Sequence, residues 1–156
     1  MPKLDYFHDP AAPPANSIVV AASAFVQDEA GRVLLIQRSD NGLWAIPGGS
    51  QDVGESIVGT AIREVREETG MSIEVTGLIG IYSDPEHVIA YDDGEVRQEF
   101  SVCFRGRPMA GELATSTESK RAEWIEPEQL GRLDIHPSVR LRIEHGLARA
   151  DQPYFA

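Results

Sequence analysis

The stretch Gly49–Met71, GSQDVGESIVGTAIREVREETGM, constrains this chain more than any other. Val58, Ala61, Ile62 and Val65 recur there at helical spacing and form an apolar stripe. Glu64, Glu67 and Glu68 lie three and four apart, so their carboxylates share one edge of the same helix. Like charges so placed repel one another and destabilise an isolated helix. A cation bound between them removes that repulsion, and hard carboxylate oxygens suit Mg²⁺ or Mn²⁺. The spacing therefore predicts a helix that packs by one side and presents acid on the other. Ser56 is placed to cap its start and Gly70 to end it. By itself a Glu-rich run is a solvated face; the glycines that flank this one give it more meaning.

Gly49, five residues, Glu55, seven residues, Arg63-Glu64, Val65, one residue, Glu67-Glu68, one residue, Gly70 and Met71 make one continuous pattern. It resembles the Nudix box, with Met71 as the loosest of its aliphatic positions. The resemblance implies an α+β fold, a Nudix-type α/β/α sandwich with a mixed β-sheet, from about residue 17 to about residue 148. The order of elements read from periodicity agrees: strands, one acidic helix, more strands, then a C-terminal helix.

The resemblance also implies roles. The carbonyl before the box glycine, which falls on Gly48, is a metal ligand, and Glu67 and Glu68 are direct ligands. Glu64 either binds metal or takes the proton from the attacking water, and Arg63 orients Glu64 by a charge-assisted bond. Glu55 is a further ligand through water or a structural acid; Gly49 and Gly70 are structural. Several Nudix proteins carry a loop acid a few residues before a Glu-Trp pair, and here Glu118 precedes Glu123-Trp124. Its implied role is extra ligand or general base, with Glu95 and Glu99 as rivals. Pro47-Gly48-Gly49 has two compatible readings. One is a tight turn needing positive φ, and the other is a close approach of main chain to a ligand.

Along the chain, 1–16 reads as a flexible arm rich in Pro and Ala, loose or docked on the surface, 17–148 as the domain, and 149–156 as a tail. Ser17–Gln27 and Val33–Arg38 read as a hairpin around Asp28-Glu29-Ala30-Gly31. Trp44 is expected in the core. Ile73–Tyr82 is a strand with a bulge at Gly77 or Gly80, Ser83–Gly94 a loop and strand edge, and Val96–Phe104 a strand. Arg105–Ala114 reads as a basic, flexible loop and Arg121–Ile125 as a short strand. Glu126–Leu130 is a helical turn, and Pro137–Ala148 is a helix with Val139, Ile143 and Leu147 on its apolar edge. The four histidines, His8, His87, His136 and His145, show no metal spacing and read as structural or solvent-facing.

A length of 156 residues fits one domain with a real core. A net charge of -11 argues against a nucleic-acid surface, which needs basic patches. It leaves room for a phosphorylated small molecule, because bound metal inverts the local potential. The lone Cys103 has no internal disulfide partner and is expected as a small buried hydrophobe, which fits the reducing cytoplasm. No stretch reads as a signal peptide or membrane span, and a homodimer is left open. The expected reaction is attack of water on phosphorus in a nucleoside diphosphate linked to another group. ADP-ribose, a sugar nucleotide, a CDP-alcohol and a nucleoside triphosphate all remain candidates. Two other readings stay open. A non-catalytic nucleotide sensor usually loses part of the acid set, and this chain keeps all of it. An RNA 5′-end pyrophosphohydrolase would need Arg105, Arg107 and Lys120 to form a local patch.

Overall fold

A computed structural model describes residues 3–156. The chain runs β1 (Lys3–Phe7), β2 (Ser17–Val26), β3 (Val33–Arg38), β4 (Trp44–Ala45), β5 (Gly48–Ser50), α1 (Ile57–Thr69), β6 (Met71–Tyr82), β7 (His87–Tyr91), β8 (Val96–Gly111) and β9 (Ser119–Ile125). A 3-10 turn (Pro127–Arg132), α2 (Pro137–Ala148) and β10 (Tyr154–Phe155) follow. The larger sheet is mixed, in the order β1-β7-β8-β2-β5, with β6 also on β8 and β10 on β6. Its β2–β8 and β10–β6 pairs are parallel and the rest antiparallel. The smaller sheet is antiparallel, in the order β4-β3-β9.

Successive strand residues point to opposite faces, and here both faces are buried. Phe25, Val33 and Leu35 join one core with Trp44, Cys103 and Ile143 of α2. Ala24, Val26 and Leu34 join another with Val65 of α1, Met71 and Ile73. Burial on both faces is why β2 and β3 read as near-continuous apolar runs. The two helices thus cover opposite sides, and the fold is the α/β/α sandwich with a mixed sheet that the sequence leads one to expect. Among the described residues no helix is long and apolar enough to cross a membrane.

Several local expectations hold. Helix α1 starts at Ser56, whose side chain accepts from the Gly59 N–H, and ends at Gly70 in the left-handed region with φ 80°. The register of β6 shifts between Val75 and Gly77 and again between Leu78 and Gly80, as the glycines suggest. Trp44 and Cys103 are buried.

Others are corrected. β2 and β3 do not form a hairpin: apart from one Gln27–Val33 bridge, β2 pairs with β8 and β5, and β3 with β4 and β9. Periodicity reveals a strand and its turn but not its partner. Arg105–Gly111 continues β8 rather than forming a loop, and Arg107 binds Glu74 across the pair at 2.8 Å. Alternating exposed charge on a sheet rim mimics loop composition. The strand edge expected within Ser83–Gly94 is β7, which pairs with β8, and of the two readings of the N-terminal arm its described part takes the docked one: β1 pairs with β7 from Lys3 to Phe7. Tyr154–Phe155 of the tail docks on β6. On the helices, Val58 and Leu147 are 37% and 38% exposed instead of joining their apolar stripes.

On α2 the buried positions include Gly146, where an added Cβ would stand 2.7 Å from the Phe25 ring. Alanine normally favours a helix over glycine by about 1 kcal/mol. Phe25 is fully buried and has no room to move. We expect overpacking to win, so Gly146→Ala should lower stability by roughly 1–3 kcal/mol in denaturant titration. An unchanged or raised midpoint would contradict the packing described here.

Candidate active site

Arg63 is the joint between the box loop and the box helix. Its guanidinium donates to both Glu55 oxygens at 2.6 and 2.9 Å, to Glu64 at 2.9 Å, to Glu67 at 3.2 Å and to the Ser50 carbonyl at 3.0 Å. The Arg63 bond holds the Glu55 carboxyl down at about 2, helped by the Asp52 N–H. Glu55 is therefore tied into the loop and to the helix. It accepts from the Asp52 N–H and the Thr60 hydroxyl as well.

Gly48 and Gly49 answer a need for close approach, not for positive φ, since neither has one. A Cβ on Gly49 would stand 2.5 Å from the Glu64 carboxylate, and one on Gly48 would stand 2.5 Å from the Ala22 carbonyl. The bare backbone lets β5 lie between β2 and α1, and the Gly48 N–H reaches Glu68 at 2.8 Å.

Glu64, Glu68 and Glu118 converge: one oxygen of each lies within 4.8 Å of the others. Glu64 and Glu68 are 8% and 2% exposed. Burial pushes the Glu68 carboxyl up to about 8, with the charges of Glu64 and Glu118 adding to it and the Gly48 N–H and Arg38 opposing it. Burial also raises Glu64, against the pull of Arg63. Such a set has the hard oxygen donors a divalent cation takes. Glu118 arrives from a distant segment. Ser119 donates to the Glu68 carbonyl at 3.0 Å, the Ala114 N–H to Thr69 at 2.8 Å, and the Ser39 N–H to Glu118 at 3.1 Å. These bonds hold the loop against the end of α1.

Glu67, expected as a direct ligand, lies outside this cluster. Its side chain is 57% exposed and is held by Arg63. With about 100° of rotation per residue, Glu64 and Glu68 align along the inner edge while Glu67 turns toward solvent. Glu95, one rival for the loop acid, is bound to Arg97 and Ser17 instead. Glu99, the other rival, does line the same cavity.

That cavity measures about 670 Å³ and holds the acid cluster together with Gly48, Arg38, Trp44, Glu99 and Arg142 among its walls. Gly48, Glu99 and the three acids are legible in the sequence as candidates, whereas Arg38 and Arg142 are not. Arg142 left one trace: a charged residue three positions after Val139, on the buried side of α2. Two of the scattered histidines also meet here. Asp5 accepts from His87 at 2.9 Å and lies 3.3 Å from His136, whose ring stacks on His87 at 5.2 Å. Against the burial that would raise it, bonds from His136 and His87 hold the Asp5 carboxyl well below the usual range. Residues 82 positions apart carry no spacing signal.

The raised Glu68 carboxyl makes stability depend on pH. Unfolded, it titrates at its ordinary value of 4.5; folded, at about 8. Between these values the folded chain holds a proton that the unfolded chain has released, so its contribution falls as pH rises through this window. We expect the melting temperature in a chelator to drop from pH 5 toward pH 8, and Glu68→Gln to flatten that drop. At pH 8 the variant should gain stability on the order of 1–3 kcal/mol. The same slope in both proteins would show that Glu68 is not the titrating group.

Comparison with known proteins agrees with this geometry. The model of the NUDIX domain matches residues 18–145. A MutT-like protein of Streptomyces ambofaciens is 35% identical over 119 residues, 76% of this chain and 70% of that protein. An ADP-ribose pyrophosphatase of Methanocaldococcus jannaschii is 32% identical over 122 residues, 73% of this chain and 65% of that protein. Among solved structures, a NUDIX hydrolase from Nitrosomonas europaea superposes with a TM-score of 0.71 at 25% identity, over 88% of this chain and 93% of that one. A chain matched over this length, and folded around the box as described, belongs to the Nudix family and is a hydrolase acting on acid anhydrides.

Proposed function

We propose that the protein hydrolyses the diphosphate bond of a nucleoside diphosphate linked to a second group, with Mg²⁺ or Mn²⁺ as its cation. The products are a nucleoside monophosphate and a phosphorylated second moiety. The observation that carries this reading is the convergence of Glu64, Glu68 and Glu118 beside Gly48, on the wall of a cavity large enough for a nucleotide. The similarity to an ADP-ribose pyrophosphatase supports a diphosphate substrate of this kind. Buried and unpaired, Cys103 suits the reducing cytoplasm, where we place the protein.

In this reading Glu64, Glu68 and the Gly48 carbonyl hold the cation. Bound there, it neutralises the diphosphate oxygens and lowers the pKa of water. Arg63 fixes the Glu64 carboxylate by its 2.9 Å bond, so Glu64 serves as a ligand and not as a mobile base. The Glu118 side chain is exposed, and its backbone alone is anchored. Glu118 is therefore assigned as the acceptor of the proton from the attacking water. Glu67 supports Arg63 from the solvent side.

Purified protein should be assayed with Mg²⁺ and with Mn²⁺ against ADP-ribose, sugar nucleotides, CDP-alcohols, nucleoside triphosphates and a 5′-triphosphorylated RNA. We expect turnover of a diphosphate-linked small molecule, abolished by chelation. Glu68→Gln should lower kcat/KM by at least about 100-fold, Arg63→Gln by about 10–100-fold, and Glu67→Gln by less than either. Nucleotide binding with no turnover of any compound would favour a sensor. Turnover of the RNA alone would favour the 5′-end reading.

Assigning Glu118 as base also predicts a split between kcat and KM. Glu118→Gln should lower kcat about 100-fold or more with little change in KM. A variant that instead raises KM alone would return the role of base to Glu64.

A further inference from the structure

Arg142 of α2 is 5% exposed, yet it has no counter-ion among the described residues. Its Nη1 donates to the Ser138 carbonyl at 2.7 Å, and its guanidinium lies 4.5 Å over the Tyr82 ring. Among the described residues no carboxylate comes within 4.0 Å of it, and its other N–H groups find no protein acceptor. They are not sealed in packing either, since none is among the buried atoms left without a partner. A buried guanidinium without an anion is an arrangement that folds avoid unless a ligand completes it.

The place of Arg142 says where that ligand sits. A second cavity of about 170 Å³ adjoins the catalytic one, and His87, Glu99, Ser138 and Arg142 line both. Gly48, Glu64, Glu68 and Glu118 line the catalytic cavity and not the smaller one. Arg142 thus stands at the junction, apart from the acids that hold the scissile diphosphate. The smaller chamber is walled by Phe7, Tyr82, Leu141 and Tyr154. Phe7 and Tyr154 fall outside residues 18–145, so segments beyond the shared domain help to build it. Its geometry is set in advance. The Tyr82 hydroxyl pairs with His145 at 2.7 Å, and Tyr154 stacks on Tyr82 at 5.0 Å. The guanidinium lies over that platform, and Arg142 lines both cavities.

We infer that Arg142 is the receptor for an anionic group of the substrate other than the diphosphate being cleaved, a phosphate monoester or a carboxylate held at the junction of the two cavities. This rests on the function proposed above and narrows it to nucleoside diphosphate derivatives bearing an additional anion. A planar fork of N–H donors suits either group bidentately. Glu99, on the same walls and without an ion-pair partner among the described residues, disfavours a second negative charge there. It accepts instead from a hydroxyl or amino group of the same moiety.

Two matched pairs separate the sources of the anion. UDP-glucuronate differs from UDP-glucose by a carboxylate on the sugar, and 2′-phospho-ADP-ribose from ADP-ribose by a phosphate on the nucleoside. Turnover is measured with Mg²⁺ and equilibrium binding by calorimetry, for the wild type, Arg142→Met, Arg142→Lys and Glu99→Gln. The charged member of one pair should be preferred by at least about 10-fold, through KM and Kd and not kcat. Arg142→Met should erase that ratio and Arg142→Lys should keep part of it. Glu99→Gln leaves the arginine in place and should raise the affinity of the charged member several-fold. A preference that survives Arg142→Met in a folded variant overturns the inference. So does equal binding within both pairs, or no binding of either charged compound. A preference in binding that depends on Arg142, with no turnover of any compound, would instead overturn the proposed hydrolysis and leave the anion site standing.

Discussion

Two carboxylates, Glu64 and Glu68, are buried on a helix that is also a core element, and the surrounding structure answers the electrostatic cost of putting them there. Moving charge out of water is expensive unless partners compensate. Glu64 receives the Arg63 guanidinium and Glu68 receives the Gly48 N–H. Neither contact is enough, as the upward shift of both carboxyls shows. Both carboxyls therefore carry part of the cost of burial unrelieved, and a cation held between them, as proposed, would relieve it.

The same requirement explains the backbone. A side chain at Gly49 would collide with the Glu64 carboxylate, and one at Gly48 with β2. Two adjacent glycines let a short strand pass between a sheet and an acidic helix at contact distance. Arg63 then locks the loop to the helix through Glu55 and Ser50. A single residue thereby orients an acid of the cluster and fixes the loop that carries Gly48, so packing and chemistry share one joint.

Much of the fold was legible in the sequence because it rests on local rules. Helix α1, its Ser56 cap and its Gly70 terminus follow from spacing and capping within one segment, as does α2 with Pro137 at its start. The bulges of β6 follow from its glycines. Strand pairing was not legible. β2 and β3 looked like a hairpin but serve different sheets, since each has both faces buried and pattern alone gives no register. Strand β1 and the far half of β8 were hidden by composition: proline and alanine beside one, exposed arginines along the other.

The candidate site divides in the same way. Arg63, Glu64 and Glu68, with the adjoining glycines, lie within one box of fixed spacing, so helical geometry alone brings them to one edge. That geometry did not reveal that Glu67 turns outward, because which edge of a helix faces inward depends on what it packs against. Glu118 was found only through the family resemblance, and its approach to Glu68 depends on loop contacts spanning some 50 positions. Arg142 left only its place on the buried side of α2, and the meeting of His87 with Asp5 left no trace. The sequence by itself determined the chemistry of the box, since that chemistry is local in the chain. The tertiary structure alone decided the rest of the cavity, because residues far apart in sequence meet only when the sheets and helices pack.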